Sequence, residues 1–233
     1  MMNIPYKTAL IIGAGAGISA SLTRLLAGAG LSVAVAARNV DKLTTLIDEI
    51  GAHAFAADAS DPDSVSKLFQ QVDEKIGGPD VVVYNASARA QGSITDIDPE
   101  AFRKSWEVST FGGFLAAQQA ARRMIPNGQG AIFFTGATAS VKGFALSGAF
   151  ATEKFGLRGL AQSVARELSP KGIHVAHFVI DGAVENPKRF GQPHGPDSLL
   201  SPDAIAQTYV DVLSQHRSAW SLEVELRPWV EHF

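Results

Sequence analysis

The sequence contains no cysteine, which excludes disulfides, thiol nucleophiles and thiolate metal sites. Neither sign of charge dominates. Twenty basic residues stand against 23 acidic ones, with no basic stripe for nucleic acid and no polybasic run for a membrane surface. Long hydrophobic runs are also missing: the apolar stretch at residues 9–12 is too short to span a bilayer. The opening residues carry no apolar region followed by a cleavage site, so a soluble, cytoplasmic protein is the expectation. His53 and His194 are far apart, no metal-ligand spacing occurs elsewhere, and no metal is expected. Tyrosine is scarce, with only three in 233 residues.

What is present is a regular alternation. Short apolar runs at 8–12, 32–36, 54–57, 81–84, 131–135, 174–180 and 222–226 alternate with helical patterns. Most are apolar on both faces, as strands of a parallel sheet covered on both sides should be. Asp61-Pro62, Asp98-Pro99-Glu100 and Ser201-Pro202-Asp203 each place a capping oxygen before a proline at the first helical position. Pro170 and Gly172 close the helix that carries Lys154. The expectation is one α/β domain over residues 1–233, a doubly wound Rossmann-type fold with an about seven-stranded parallel sheet and helices on both faces. One long irregular stretch, residues 186–201, has the length of a functional or mobile loop.

Gly13-Ala14-Gly15-Ala16-Gly17-Ile18-Ser19 follows the first strand and opens a helix. Glycines let the backbone approach a pyrophosphate, and the free N–H groups of a helix start attract its charge. The fingerprint G-x-G-x-x-G fails at Ile18. The spacing resembles instead the Gly-x-x-x-Gly-x-Gly pattern of the short-chain dehydrogenase/reductase family, with Ser19 in the last glycine position and expected to crowd the helix–strand contact slightly. Asp58 after the third strand resembles that family's adenine-contacting aspartate, and Asn85-Ala86-Ser87 its Asn-Ala-Gly turn. Beyond the sixth strand, Asp181-Gly182-Ala183-Val184-Glu185-Asn186 resembles the segment that clasps the nicotinamide carboxamide. The resemblance thus implies a cofactor site of Gly13, Gly15, Gly17, Ile18, Arg38, Asp58, Asn85, Ala86, Lys154, Gly182, Val184 and Asn186. At the end of the second strand, Ala37 stands where an acid would bind the ribose hydroxyls of NAD, and Arg38 follows it. A guanidinium clamps a phosphate through paired N–H groups, so NADP(H) is expected over NAD(H).

The same resemblance implies a catalytic tetrad, of which this chain keeps one member. Lys154 matches the lysine that holds the nicotinamide ribose and lowers a tyrosine pKa. The tyrosine position holds Phe150, the serine position Ala137 and the asparagine position Ser109. Ser147 excludes the Tyr-x₆-Lys variant. Thr138 and Tyr84 are the substitutes to consider for carbonyl orientation and proton donation. His174 and His177 read as packed residues of a buried strand. Phe144, Leu146, Phe150 and Ala137 suggest an apolar crevice floor. Two functions compete: an NADP-dependent oxidoreductase with an atypical site acting on an unknown carbonyl or quinone-type, apolar substrate, and a non-catalytic dinucleotide-binding sensor or regulator. A lyase or isomerase without net redox is a third. The resemblance also implies a homo-dimer or homo-tetramer, with Gly112, Gly113, Ala116, Ala117 and Gly156 permitting close helix approach between subunits. The aromatic chain end, residues 227–233, is expected to dock on the body or on a neighbouring subunit.

Overall fold

A computed structural model describes residues 4–186 and 195–230. Seven parallel strands form one sheet in the order β3-β2-β1-β4-β5-β6-β7. They are β1 (Thr8–Ile12), β2 (Ser32–Ala37), β3 (His53–Ala56), β4 (Val81–Tyr84), β5 (Gly130–Thr135), β6 (Ile173–Ile180) and β7 (Glu223–Leu226). The strands expected at 8–12 and 81–84 occur with those bounds, while β3 begins and ends one residue earlier than its pattern suggests. As an edge strand, β3 is only half-buried, so its apolar alternation is a weak marker of register.

The helices are α1 (Ile18–Gly28), α2 (Thr44–Ile50), α3 (Pro62–Ile76), α4 (Pro99–Trp106), α5 (Gly112–Met124), α6 (Gly148–Leu168) and α7 (Pro202–Leu213). The three proline-led starts are capped as their sequences demand. Asp61 accepts from Asp63 N–H, Asp98 from Glu100 and Ala101 N–H, and Ser201 from Ala204 N–H. A π-helical turn, Glu107–Phe111, joins α4 to α5 and places Ser109 in the irregular backbone. Alternate residues of each central strand enter separate cores. Leu10 and Phe134 pack with Phe69 of α3 and Leu157 of α6, whereas Ile11 and Phe133 pack with Leu22 of α1 and Tyr209 of α7. Each such fully buried side chain contributes about 1.5–3 kcal/mol.

The packing bears on two further expectations. The small residues around the α4–α5 break serve packing within the chain. A Cβ on Gly112 would meet the Tyr84 hydroxyl at 2.2 Å, and one on Gly113 would meet Leu157 at 2.6 Å. Ala116 and Ala117 are buried in the core, and Gly156 abuts Thr110. The chain end docks in part: Arg227 pairs with Asp181 and Glu225, and Pro228 is buried, but Trp229 is 81% exposed. Residues 231–233 and the 187–194 part of the long loop lie outside the described residues. Leu200 bridges back to Val184 from the far end of that loop.

Candidate functional site

The strand order reverses between β1 and β4, and the register sets Ile12 beside both Ala36 and Tyr84. The carboxyl ends of β1, β2 and β4 therefore open at one level, where ligands of such sheets bind. A cleft of about 430 Å³ lies there, walled by Gly13, Gly15, Ala37, Arg38, Lys42, Asp58, Asn85, Ala86 and Ser87. A second cleft of about 360 Å³ shares Gly13, Gly15 and Asn85 with it. Its remaining wall includes Gly17, Ile18, Arg89, Ala137, Gly182, Val184, Glu185 and Asn186. Every expected cofactor residue except Lys154 borders one of the two clefts.

The turn after β1 is fixed by backbone. Gly13 has φ +88°, and a Cβ there would come within 2.3 Å of Ala86 N. Only glycine fits without strain. Ser19 does not crowd this turn. Its buried hydroxyl donates to Gly13 O at 3.1 Å and accepts from Asn85 Nδ2 at 2.7 Å, so it ties the loop to the end of β4. Gly17 heads α1 without a side-chain cap, leaving the first helical N–H groups available to an anion. Arg38 and Lys42 are exposed cations at the far end of the first cleft. Asp58 accepts from Ser60 N–H and Oγ, and these bonds, with the Lys104 ammonium 3.9 Å away, hold its carboxyl below the usual range.

Thr135 of the second cleft's wall is tied to α6 through Lys154. Lys154 is buried, and its Nζ donates to Thr135 O at 3.0 Å. Burial, with a smaller contribution from the Arg89 charge, lowers its pKa to about 8. Phe150 is half-buried, and the Arg89 guanidinium lies over its ring, 4.2 Å from the centroid. Ser109 is fully buried rather than open to either cleft. Thr138 opens a single 3₁₀ turn and is not part of either wall.

Tyr84 is unfit as an acid. It is 1% exposed, its hydroxyl donates to Val108 O, and burial raises its pKa further. The apolar floor divides as well. Phe144 and Leu146 line a separate hollow with Ile94, Ile97 and Phe102, apart from Phe150 and Ala137. His174 and His177 are buried as expected, with burial pushing the latter's pKa down to about 4. Among the described residues no cluster of metal-binding side chains occurs, and no helix is long and apolar enough to cross a membrane.

The short chain dehydrogenase family model matches residues 7–187. The chain belongs to this family. It is 31% identical to sorbitol-6-phosphate 2-dehydrogenase of Escherichia coli K12 over 215 residues, 88% of this chain and 83% of that protein. Among solved structures, a short-chain dehydrogenase from Rhodopseudomonas palustris superposes with a TM-score of 0.82 at 38% identity, covering 96% of this chain and 99% of the other. A metagenomic short-chain oxidoreductase in complex with NADP gives a TM-score of 0.84 at 27% identity, covering 96% and 98%. Among the wall residues, sequence reasoning overlooked Lys42 and Arg89, of which only Lys42 carried a signal, as a second cation shortly after Arg38.

Proposed function

We propose that this short-chain dehydrogenase binds NADP(H) in preference to NAD(H) and is an oxidoreductase with an atypical active site, acting on a carbonyl or quinone-type substrate. The observation that carries this reading is the continuity of the two clefts, from the Arg38–Lys42 pair to the wall beside Lys154. The residues fit a dinucleotide phosphate. Arg38 and Lys42 supply charge for a 2′-phosphate, and Ala37 presents no acid to repel it. Gly15, Gly17 and the start of α1 suit the pyrophosphate, and Asp58 the adenine. Gly182, Val184 and Asn186 line the second cleft, where a carboxamide would sit, and Lys154, whose Nζ bonds the wall residue Thr135, is assigned to the nicotinamide ribose. When bound, the nicotinamide supplies hydride chemistry.

On this reading the proton is the unusual part. Phe150 and Ala137 stand at the positions of the family's tyrosine and serine, and neither has a hydroxyl. A positioned general acid is worth roughly 10²–10⁴-fold, about 3–5 kcal/mol of barrier. The protein therefore needs another proton source or a substrate that demands little acid help. A second reading, a cofactor-binding protein without turnover, is favoured by this lack of a hydroxyl. We further propose a homo-oligomer, because Trp106, Phe111 and Phe114 stack along the α4–α5 segment with Trp106 and Phe114 exposed, and Phe155 of α6 is exposed too.

The test is NADPH oxidation against ketones, aldehydes and quinones, with the wild type and Phe150→Tyr side by side. Turnover by the wild type is expected. Turnover by Phe150→Tyr alone would instead favour the second reading.

A further inference from the structure

Arg89, in the segment after β4, is exposed in the wall of the second cleft beside Ala137, Gly182, Val184 and Asn186. It is the only cation of that wall among the described residues, and the site described so far gives it no task. No acid pairs with it. Glu185, the one carboxylate of the same wall, forms no ion pair with Arg89 among the described residues. The Glu153 carboxyl is bonded to Ser105 of α4 and lies 3.4 Å from Ser87 Oγ. The guanidinium is nonetheless felt by Lys154, where it adds to burial in lowering the ammonium's pKa.

The side chain is held from two directions. Phe150 supports it, with the guanidinium 4.2 Å from the ring centroid. The backbone before it is tied at Ala88, whose N–H donates to Ser109 Oγ at 3.3 Å and whose carbonyl lies 3.3 Å from Ser105 Oγ. Both serines are buried, and Ser105 is anchored in turn on the buried Glu153 carboxyl. The serine at the asparagine position and the phenylalanine at the tyrosine position thus both serve to place Arg89. A guanidinium so fixed keeps its proton, yet its N–H groups attract negative charge without having to reorganise. Ala137 offers the same wall no hydroxyl to compete for that charge.

We propose that Arg89 binds the substrate's carbonyl oxygen and holds the negative charge that develops there, so that the substrate is an α,β-unsaturated carbonyl reduced at its C=C bond. This rests on the oxidoreductase reading, with NADPH as reductant. Charge stabilisation stands in for proton donation, and reduction succeeds where the oxygen can stay anionic until water reaches it. Hydride bonds to the β carbon, the C=C π pair moves to the bond beside the carbonyl, and the C=O π pair moves onto oxygen. The enolate so formed lies against the guanidinium. Water then protonates it at the α carbon as the carbonyl re-forms, and is left as hydroxide. A simple ketone would leave an alkoxide instead, a far stronger base for which this wall holds no acid.

With NADPH, the wild type is expected to convert 2-cyclohexenone to cyclohexanone and to leave cyclohexanone itself unreduced. Arg89 is exposed, so Arg89→Gln should keep the fold. Its kcat for the enone should fall roughly 10²–10³-fold with KM and NADPH affinity little changed, and Arg89→Lys should recover part of the loss. A binding measurement reads the same charge without turnover. 4-Nitrophenolate, a stable delocalised oxyanion, should bind the wild type in the presence of NADP⁺ and bind Arg89→Gln roughly 10- to 150-fold more weakly. Uncharged 4-nitroanisole should not distinguish the two proteins. An unchanged enone kcat in Arg89→Gln, or equal 4-nitrophenolate affinity, would overturn the role of Arg89 alone. So would a loss confined to NADPH affinity, which would make Arg89 a cofactor contact. Reduction of cyclohexanone as fast as the enone would overturn the substrate class. A wild type that binds NADPH and reduces no carbonyl or quinone overturns the oxidoreductase reading, and this proposal with it.

Discussion

The cofactor end and the reaction end of the cleft are built on different principles. At the cofactor end the shape is made by backbone: a positive-φ glycine against Ala86, an uncapped helix start, and strand ends aligned by register. At the proposed reaction end the chemistry would depend on a few side-chain atoms near Lys154. Backbone shape tolerates substitution around it, as Ser19 shows by replacing a glycine with a hydroxyl that braces the same turn. A reaction centre has no such reserve. On the proposed reading, Phe150 in place of a tyrosine leaves the fold intact and takes away the acid. Family membership therefore says more about what this protein holds than about what it converts.

The contrast is broken most severely at Gly13. Gly13→Ala meets both a left-handed backbone, worth about 1–3 kcal/mol in strain, and a Cβ 2.3 Å from Ala86 N. A lowered Tm and loss of NADPH binding are expected, measured by thermal unfolding and fluorescence titration. Gly15→Ala sharpens the point, because no atom lies within 4 Å of a Cβ built there. Its stability should stay within about 0.5 kcal/mol of wild type while cofactor binding weakens. Equal destabilisation of both variants would remove the distinction between a turn set by packing and a surface kept clear for a ligand.

The next effect is smaller and confined to one end. Hydrogen bonds to a charged group are worth about 1.5–3 kcal/mol, so Arg38→Ala should weaken NADPH roughly 10- to 150-fold. NADH, which lacks the 2′-phosphate, should bind as before. Calorimetric titration of both nucleotides reads the ratio, and a parallel loss would show that Arg38 serves the fold or the shared part of the cofactor.

The same contrast explains which features are legible in the sequence. Strands β1 and β4 were legible because both faces are buried, and the proline-led helix starts because their caps are local. The glycine turn was legible for the same reason. Contacts that close over long sequence distances were not. Ser19 and Asn85 are 66 residues apart, and Ser105 and Glu153 are 48 apart. A glutamate inside a helix ordinarily reads as solvated surface, so nothing local marks Glu153 as buried. Tyr84 is the opposite case. Its place at a strand end beside the crevice made it a tyrosine to consider as an acid, while the depth of its burial is set by Gly112 and Gly113 from a helix far along the chain.

Tyr84 also provides the gentlest test. Its hydroxyl bonds the carbonyl of Val108, the residue before Ser109 in the π-helical turn, and so joins the end of β4 to the irregular backbone between α4 and α5. Tyr84→Phe keeps the ring in its core and deletes that one bond. A loss of about 1 kcal/mol is expected, seen as a shift in the urea midpoint with an unchanged slope. Turnover with NADPH and its pH profile should be preserved, because a phenol turned to a backbone carbonyl in the core donates nothing to the cleft. If the rate fell 10²-fold or more while stability held, this tyrosine would have to be counted as the proton source after all.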